Sequence, residues 1–287
     1  MSGGNDLPWG LVSGIWGDSI ASLGMYAKKI GVGNAVYFGS TDGVADFIKS
    51  QPFIHDFIAV PPLNTAHYYQ TVKLLWNDCT YERGVQLMRS ATDQKLPDVI
   101  VNATIDLGTT EPLTLANDLV SPPQCVEWAN LVVSELRKPI ILIQPFSINT
   151  NSRDDHWGFW PELMKWVIAD KSKTVVLCGR GWDDTPYISD SNVISLVDKT
   201  PSVAHVFAMC DHADLVITTS NSVSLYAASR RLKTVVMAAS GTSDPKDYFY
   251  RAINADTVQM FTKITSFHKA VYHLVEYDIW PRRSQHI

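Results

Sequence analysis

The sequence predicts an α/β protein built as two doubly wound domains facing a cleft, and its pattern and its length both point there. Short β-branched or apolar runs alternate with longer amphipathic stretches along the whole chain, the signature of repeated βα units and parallel sheets. The alternation breaks at Lys138-Pro139 and then starts afresh. At roughly 100–200 residues per domain, 287 residues suit two domains, each able to bury a core.

In the first half, strands are expected at 10–13, 35–38, 57–60 and 99–102. Between them, 18–29 follows a Gly-containing turn, 41–50 carries Val44, Phe47 and Ile48 on one face, and 81–90 carries Val85, Leu87 and Met88, so each reads as a helix. Pro61-Pro62 marks a break, and the aromatic stretch 63–80 fits either a helix or a loop. Ser121-Pro122-Pro123 opens a helix running to Arg137, proline being suited to a first helical turn. This gives a first domain of 1–137 and a second of 138–287.

In the second half, strands are expected at 140–144, 174–178, 193–196, 215–218 and 234–238, with helices at 160–170, 202–210 and 222–230. The segment 264–277, with Phe267, Val271, Leu274 and Val275, reads as a last amphipathic helix. Its return to the first domain is left open.

Composition excludes several classes. With 46% hydrophobic and 18% charged residues, neither disorder nor a fibrous repeat fits. A formal charge of -5 provides no overall positive field for nucleic acid or an anionic membrane. Cys79, Cys125, Cys178 and Cys210 lie far apart without a CxxC, so reduced, buried thiols are expected and neither a zinc site nor a disulfide framework. The first residues carry no basic run followed by an apolar one, and no window nears the roughly 20 apolar residues of a membrane span; the expectation is a cytoplasmic protein. The nine tryptophans and eleven tyrosines hint at a ligand cleft, since amphipathic rings often line one.

Polar turns that follow strands and precede helices are the candidates for chemistry. At Ser13-Gly14-Ile15-Trp16-Gly17-Asp18-Ser19, Gly17 and Asp18 sit where a first strand turns into a helix. Asp18 fits either a helix N-cap or a general base taking a proton from an acceptor hydroxyl. The loop from Gln144 to Arg153 offers Ser147, Asn149 and Arg153 to phosphate oxygens, because serine and asparagine donate and arginine makes a two-pronged contact. It leads to Trp160-Pro161-Glu162 at the positive end of a helix. Thr218 to Ser224 is dense in small donors: Ser220, Asn221, Ser222 and Ser224, with free amides at the helix start, would cradle a diphosphate, or would simply cap the helix. In Gly179-Arg180-Gly181-Trp182-Asp183-Asp184, Trp182 suits stacking on a base and Asp183 suits ribose hydroxyls, although turn chemistry explains the Gly and Asp equally well. No GxxxxGK[ST] occurs, which argues against a P-loop enzyme, and Gly31-Val32-Gly33 precedes a strand and so is no dinucleotide fingerprint.

These four positions, in this order, resemble the GT-B glycosyltransferases, and most closely the ADP-heptose:lipopolysaccharide heptosyltransferase-like family. The resemblance rests on Gly17-Asp18, Gln144-Pro145-Phe146-Ser147 leading to Trp160-Pro161-Glu162, Val175-Val176-Leu177-Cys178-Gly179, and Ala213-Asp214-Leu215-Val216-Ile217 leading into Thr219 to Ala228. It implies two Rossmann-like domains, Asp18 as catalytic base, and Ser147, Ser220, Asn221 and Ser222 on the donor's diphosphate and nucleoside. The sequence departs from the family where Asp-Thr-Gly followed by a His is usual, having Thr219-Ser220-Asn221 and then Ser224. What the resemblance implies is sugar transfer from a nucleotide-diphosphate donor to an acceptor hydroxyl, without a bound metal or other cofactor. A glycan is the expected acceptor. The alternatives are a hydroxylated base in DNA, a nucleotide-sugar epimerase and a nucleotide-binding module that has lost catalysis.

Overall fold

Parallel strands buried on both faces are near-continuous apolar runs, and the central strands here are of that kind. The computed structural model describes residues 7–13, 16–64, 81–100, 119–146, 158–219, 221–237, 258–261, 268, 270, 271 and 274, a few of them, Asp18 included, by backbone alone. The chain divides at Pro122 and Pro123 into two compact units.

In the first unit, β1 (Trp9–Ser13), β2 (Gly33–Phe38) and β3 (Ile54–Val60) form a three-stranded parallel sheet in the order β1-β2-β3. Its register aligns Leu11 with Val36 and Val36 with Ile58. Helix α1 (Trp16–Lys29) follows β1 and buries Trp16, Ile20, Leu23 and Tyr26, the spacing of a single helical face. Gly10 makes this packing possible, because a Cβ there would fall 2.4 Å from Ile30 Cδ1 and 2.5 Å from Tyr26 Cε2. The Tyr26 hydroxyl donates to the Asn34 carbonyl at 2.9 Å, tying the helix to β2.

Helix α2 (Val44–Lys49) buries Val44, Phe47 and Ile48 as expected, and α3 (Tyr81–Ser90) adds Val85 and Met88 to a core with Leu11, Val36, Phe38 and Val60. The expected strand over 99–102 does not form at its described residues: Val99 and Ile100 lie outside any ladder, and Val99 is 68% exposed. Two β-branched residues signal extended backbone, but that signal alone does not make a strand. The carbonyls just before them, of Pro97 and Asp98, are instead held by the Arg89 guanidinium at 2.7 and 3.3 Å.

The second unit opens with α4 (Pro123–Val133), which ends before Arg137 and packs on α6, so it groups with the second unit where the sequence reading ended the first domain at 137. Then follow β4 (Ile140–Gln144), α5 (Trp160–Ala169), β5 (Thr174–Leu177), β6 (Val193–Ser195), α6 (Val203–Cys210), β7 (Leu215–Thr218), α7 (Ser222–Ser229), β8 (Thr234–Met237) and β9 (Val258–Phe261). Their six-stranded sheet is parallel throughout, in the order β6-β5-β4-β7-β8-β9. Strand β9 was not anticipated. Its Val-Gln-Met-Phe is too short and mixed to announce itself, and it is completed by pairing with β8.

Ile141 and Ile143 of β4, Val175 and Leu177 of β5, and Leu215 and Ile217 of β7 meet Trp160, Leu163, Met164 and Val167 of α5 in one core. Ala270 and Leu274, helical residues within the expected last helix, belong to this same core.

Candidate functional site

Counted from β4, the second sheet runs 3-2-1-4-5-6, so the chain reverses direction of winding between β4 and β7. The loops leaving the carboxyl ends of those two strands turn opposite ways, and the gap they leave is where doubly wound sheets bind ligands. Gln144, the last residue of β4, pairs in register with Thr218, the last of β7, and the Thr219 amide donates to the Gln144 carbonyl at 3.3 Å. The adjacent strand β5 ends beside them, with the Cys178 amide donating to the Ile143 carbonyl at 2.9 Å. The carboxyl ends of β4, β5 and β7, from which the loops singled out in the sequence depart, therefore lie side by side in one sheet.

Helix α7 begins at this edge. Asn221 is its N-cap, and the side-chain oxygen accepts from the Val223 amide at 2.8 Å and the Ser224 amide at 3.2 Å. Ser224 completes a capping box: its hydroxyl accepts from the Asn221 amide at 3.1 Å and donates to the Asn221 carbonyl at 2.7 Å. The Asn221 side-chain NH2 donates to the Thr218 hydroxyl at 3.2 Å, fastening the cap to the end of β7. The amides of Val223 and Ser224, expected to be free for an anion, are thus held inside the chain. Ser222, half-buried at the first helical position, and the positive end of the helix remain toward the edge. Ser220 lies outside the described residues, as do Ser147, Asn149 and Arg153.

The loop after β5 is built around a backbone that only glycine accepts easily. Gly179 has φ 122°, and a Cβ on it would sit 2.9 Å from Trp182 Nε1 and 3.7 Å from Gln144 Cγ. The Trp182 indole N–H donates to the Cys178 carbonyl at 3.2 Å, and its ring meets Phe146 edge-to-face at 5.8 Å. Arg180 donates to the carbonyls of Thr200 and Pro201 at 3.3 and 3.2 Å. Asp183 accepts from the Thr185 amide at 3.0 Å; bonds from Thr185 hold its carboxyl below the ordinary aspartate value. Asp184 accepts from the Ser195 hydroxyl. The turn chemistry weighed for this loop is what these contacts display, and they position Trp182 beside Gln144. Asp198, which the sequence did not flag, braces the loop with φ 56°, accepting from the Gly181 amide at 3.0 Å while its own amide donates to the Gly179 carbonyl at 3.0 Å. An Asp in a left-handed turn was its only signal.

Beneath this edge Cys178 is completely buried, and burial pushes its thiol up to about 12, so it is a neutral packing group and no nucleophile. Cys125 and Cys210 are likewise buried thiols outside any disulfide, as expected; Cys79 lies outside the described residues. Among the described residues no group of His, Cys, Asp or Glu is arranged to hold a metal ion.

In the first unit, α1 starts at Trp16, so Asp18 is inside the first turn and is not the N-cap that its spacing allowed. Gly17 precedes it, half-buried. The side chain of Asp18 is outside the described part.

No protein-family model and no curated protein sequence matches the chain. Solved structures do. A glycosyl transferase family 9 protein from Veillonella parvula aligns with a TM-score of 0.58 at 13% identity, over 96% of this chain and 91% of its own. An E. coli heptosyltransferase solved with ADP aligns with a TM-score of 0.57 at 14% identity, over 94% and 99%. The fold is that of the heptosyltransferase-like glycosyltransferases. E. coli ADP-heptose LPS heptosyltransferase II gives a TM-score of 0.55 at 15% identity, over 91% of this chain and 92% of that one. The likeness thus runs the length of both partners, and identities this low carry the fold and not the chemistry. Among the described residues no helix is long and apolar enough to cross a membrane.

Proposed function

We propose that this chain is a glycosyltransferase of the GT-B type, moving a sugar from a nucleotide-diphosphate donor to an acceptor hydroxyl. The observation that carries the reading is the strand reversal between β4 and β7, with every sequence-flagged donor loop leaving that edge. The whole-length likeness to heptosyltransferases supports it.

In this reading the second unit holds the donor. Ser147, Asn149 and Arg153 serve the phosphates with Ser220, Ser222 and the positive end of α7, while Asn221 and Ser224 keep that helix start in shape. Trp182 offers a face to the nucleoside, in a loop that Gly179, Arg180 and Asp183 hold in place. Asp18, in the first turn of α1, takes the proton of the acceptor hydroxyl as its oxygen bonds to the anomeric carbon. The anomeric carbon–oxygen bond to the diphosphate breaks, and its electron pair leaves with the nucleoside diphosphate. Helix dipole and hydrogen-bond donors stabilise that departing charge, so no bound metal or other cofactor is invoked. The acceptor we favour is a glycan, because a net charge of -5 gives little to the phosphate contacts on which duplex binding draws. A cytoplasmic setting suits such a donor.

The test has two steps. Selective thermal stabilisation by one of ADP, UDP, GDP and CMP, with ATP and NAD as controls, identifies the donor class, since a ligand binding only the folded chain raises its melting temperature. Transfer from the matching sugar nucleotide should then fall about 100-fold or more in Asp18→Asn, with donor affinity unchanged. Full transfer by that variant removes the base assignment, and stabilisation by NAD alone removes the transferase.

A further inference from the structure

Among the described residues two buried side-chain atoms have no hydrogen-bond partner, Asn34 Oδ1 in the first unit and, at the strand reversal of the second, Gln144 Oε1. Gln144 ends β4 after the fully buried run Ile140–Ile143, and its side-chain Oε1 is buried without any hydrogen-bond partner. Buried polar atoms left in this state are rare and costly, and they call for an explanation.

The donors described beside it are already spent. The Thr218 hydroxyl, opposite Gln144 in register, donates to the Thr219 carbonyl at 3.3 Å, and the Asn221 NH2 donates to that same hydroxyl. The Thr219 amide serves the Gln144 backbone carbonyl. The Trp182 indole N–H is committed to the Cys178 carbonyl. Beside the glutamine, the missing side chain of Gly179 leaves room that a Cβ would take 3.7 Å from Gln144 Cγ. An apolar residue would close the strand at no such cost, so the amide serves something the chain itself does not supply.

Resting on the glycosyltransferase reading, we propose that Gln144 is the specificity residue that accepts a hydrogen bond from the non-phosphate part of the donor. Phosphate oxygens only accept and cannot fill an acceptor. The partner is therefore a hydroxyl or N–H, from either the nucleoside or the transferred sugar. The amide oxygen reads it while Trp182 and Phe146 form the adjacent aromatic wall.

The experiment compares wild type with Gln144→Met, which keeps the length and removes the polar atoms, and with Gln144→Leu as a second apolar variant. The probes are ADP, GDP and UDP, their glucose conjugates and inorganic pyrophosphate, measured by titration calorimetry, with melting temperatures of the unliganded proteins. Without ligand, the variants should melt at the wild-type temperature or above it, because an unmet buried atom has gone. Affinity for the preferred nucleoside diphosphate or its conjugate should drop about 5- to 10-fold, with pyrophosphate unaffected. A loss already present with the nucleoside diphosphate places the group on the nucleoside, and a loss confined to the conjugate places it on the sugar. Variants that bind both probes as wild type does overturn the proposal alone, as does an unliganded destabilisation with equal loss of pyrophosphate. Wild type that binds none of the probes overturns the transferase reading, and this proposal with it.

Discussion

The two units offer a ligand different things. In the second, β4 and β7 lie side by side while their connections run opposite ways, so adjacent loops diverge and leave a place for a ligand with no special residue needed to make it. In the first, β1, β2 and β3 follow one another in chain order, and the described residues contain no such reversal. The binding proposed for the second unit thus rests on topology, whereas the first unit's expected contribution rests on a single carboxylate at the start of α1. The polar economies differ as well. In the second unit side-chain hydrogen bonds cap α7 and brace the loop after β5 at the carboxyl ends of the strands, while in the first the buried amide of Gln51 serves the frame: it donates to the Val120 carbonyl at 3.0 Å and accepts from the Val120 amide at 3.0 Å.

The strongest way to break this comparison is through the second core. Trp160 is 1% exposed and packs among the strands that end at the reversal. Trp160→Ala should cost about 3–5 kcal/mol, seen as a lower urea midpoint. Hydrogen exchange should rise across β4 to β8 and stay unchanged in β1 to β3; equal loss in both sheets would dissolve the distinction between units.

Next comes the frame of the first unit. Gln51→Leu leaves both backbone groups of Val120 unmet in a buried place and should cost about 1–3 kcal/mol. Donor binding should be untouched, so a variant that loses both stability and donor affinity would show that the second unit does not bind alone.

The capping box of α7 sharpens the other side. Asn221→Ala frees the amides of Val223 and Ser224 and should destabilise by about 1 kcal/mol. The variant should also bind nucleoside diphosphate more weakly, because the freed helix start loses its fixed shape. If affinity rises instead, the amides themselves are the anion cradle and the cap competes with the ligand.

How much of this was legible beforehand follows the same division. In the second unit the runs Ile140–Gln144 and Leu215–Thr218 were bounded correctly, since strands buried on both faces are written as unbroken apolar stretches. The edge strand β9 lacks that signature and was missed. In the first unit Val99-Ile100 carried the composition of a strand but lies outside the described ladders, which no local pattern reveals. For the site, glycine, asparagine and serine marked turns that do follow β5 and β7, but whether a donor is free depends on contacts such as Asn221 on Ser224, which only the folded chain fixes. Gln144 was visible only as the polar end of an apolar run, and its unmet oxygen is a fact of three dimensions.

The smallest effect expected is an acid sensitivity confined to the second unit. His205 on α6 lies between the Ser202 hydroxyl at 2.9 Å and the Cys125 thiol at 3.6 Å, with Trp128 edge-on at 5.2 Å. Burial lowers its pKa, and burial, aided by Lys138, lowers that of His212 against the opposing pull of Asp211. Both imidazoles are therefore protonated more readily in the unfolded chain, which binds more protons as the pH falls. Stability they contribute is fully present above the ordinary histidine value of about 6.5 and is lost as pH drops through the lowered folded values. Melting temperature should thus decline from pH 7.5 to 5.5, and His205→Gln should flatten the decline. An unchanged slope in that variant would assign the acid response to other groups. Exchange that quickens in β1 to β3 rather than around α6 would move it to the first unit.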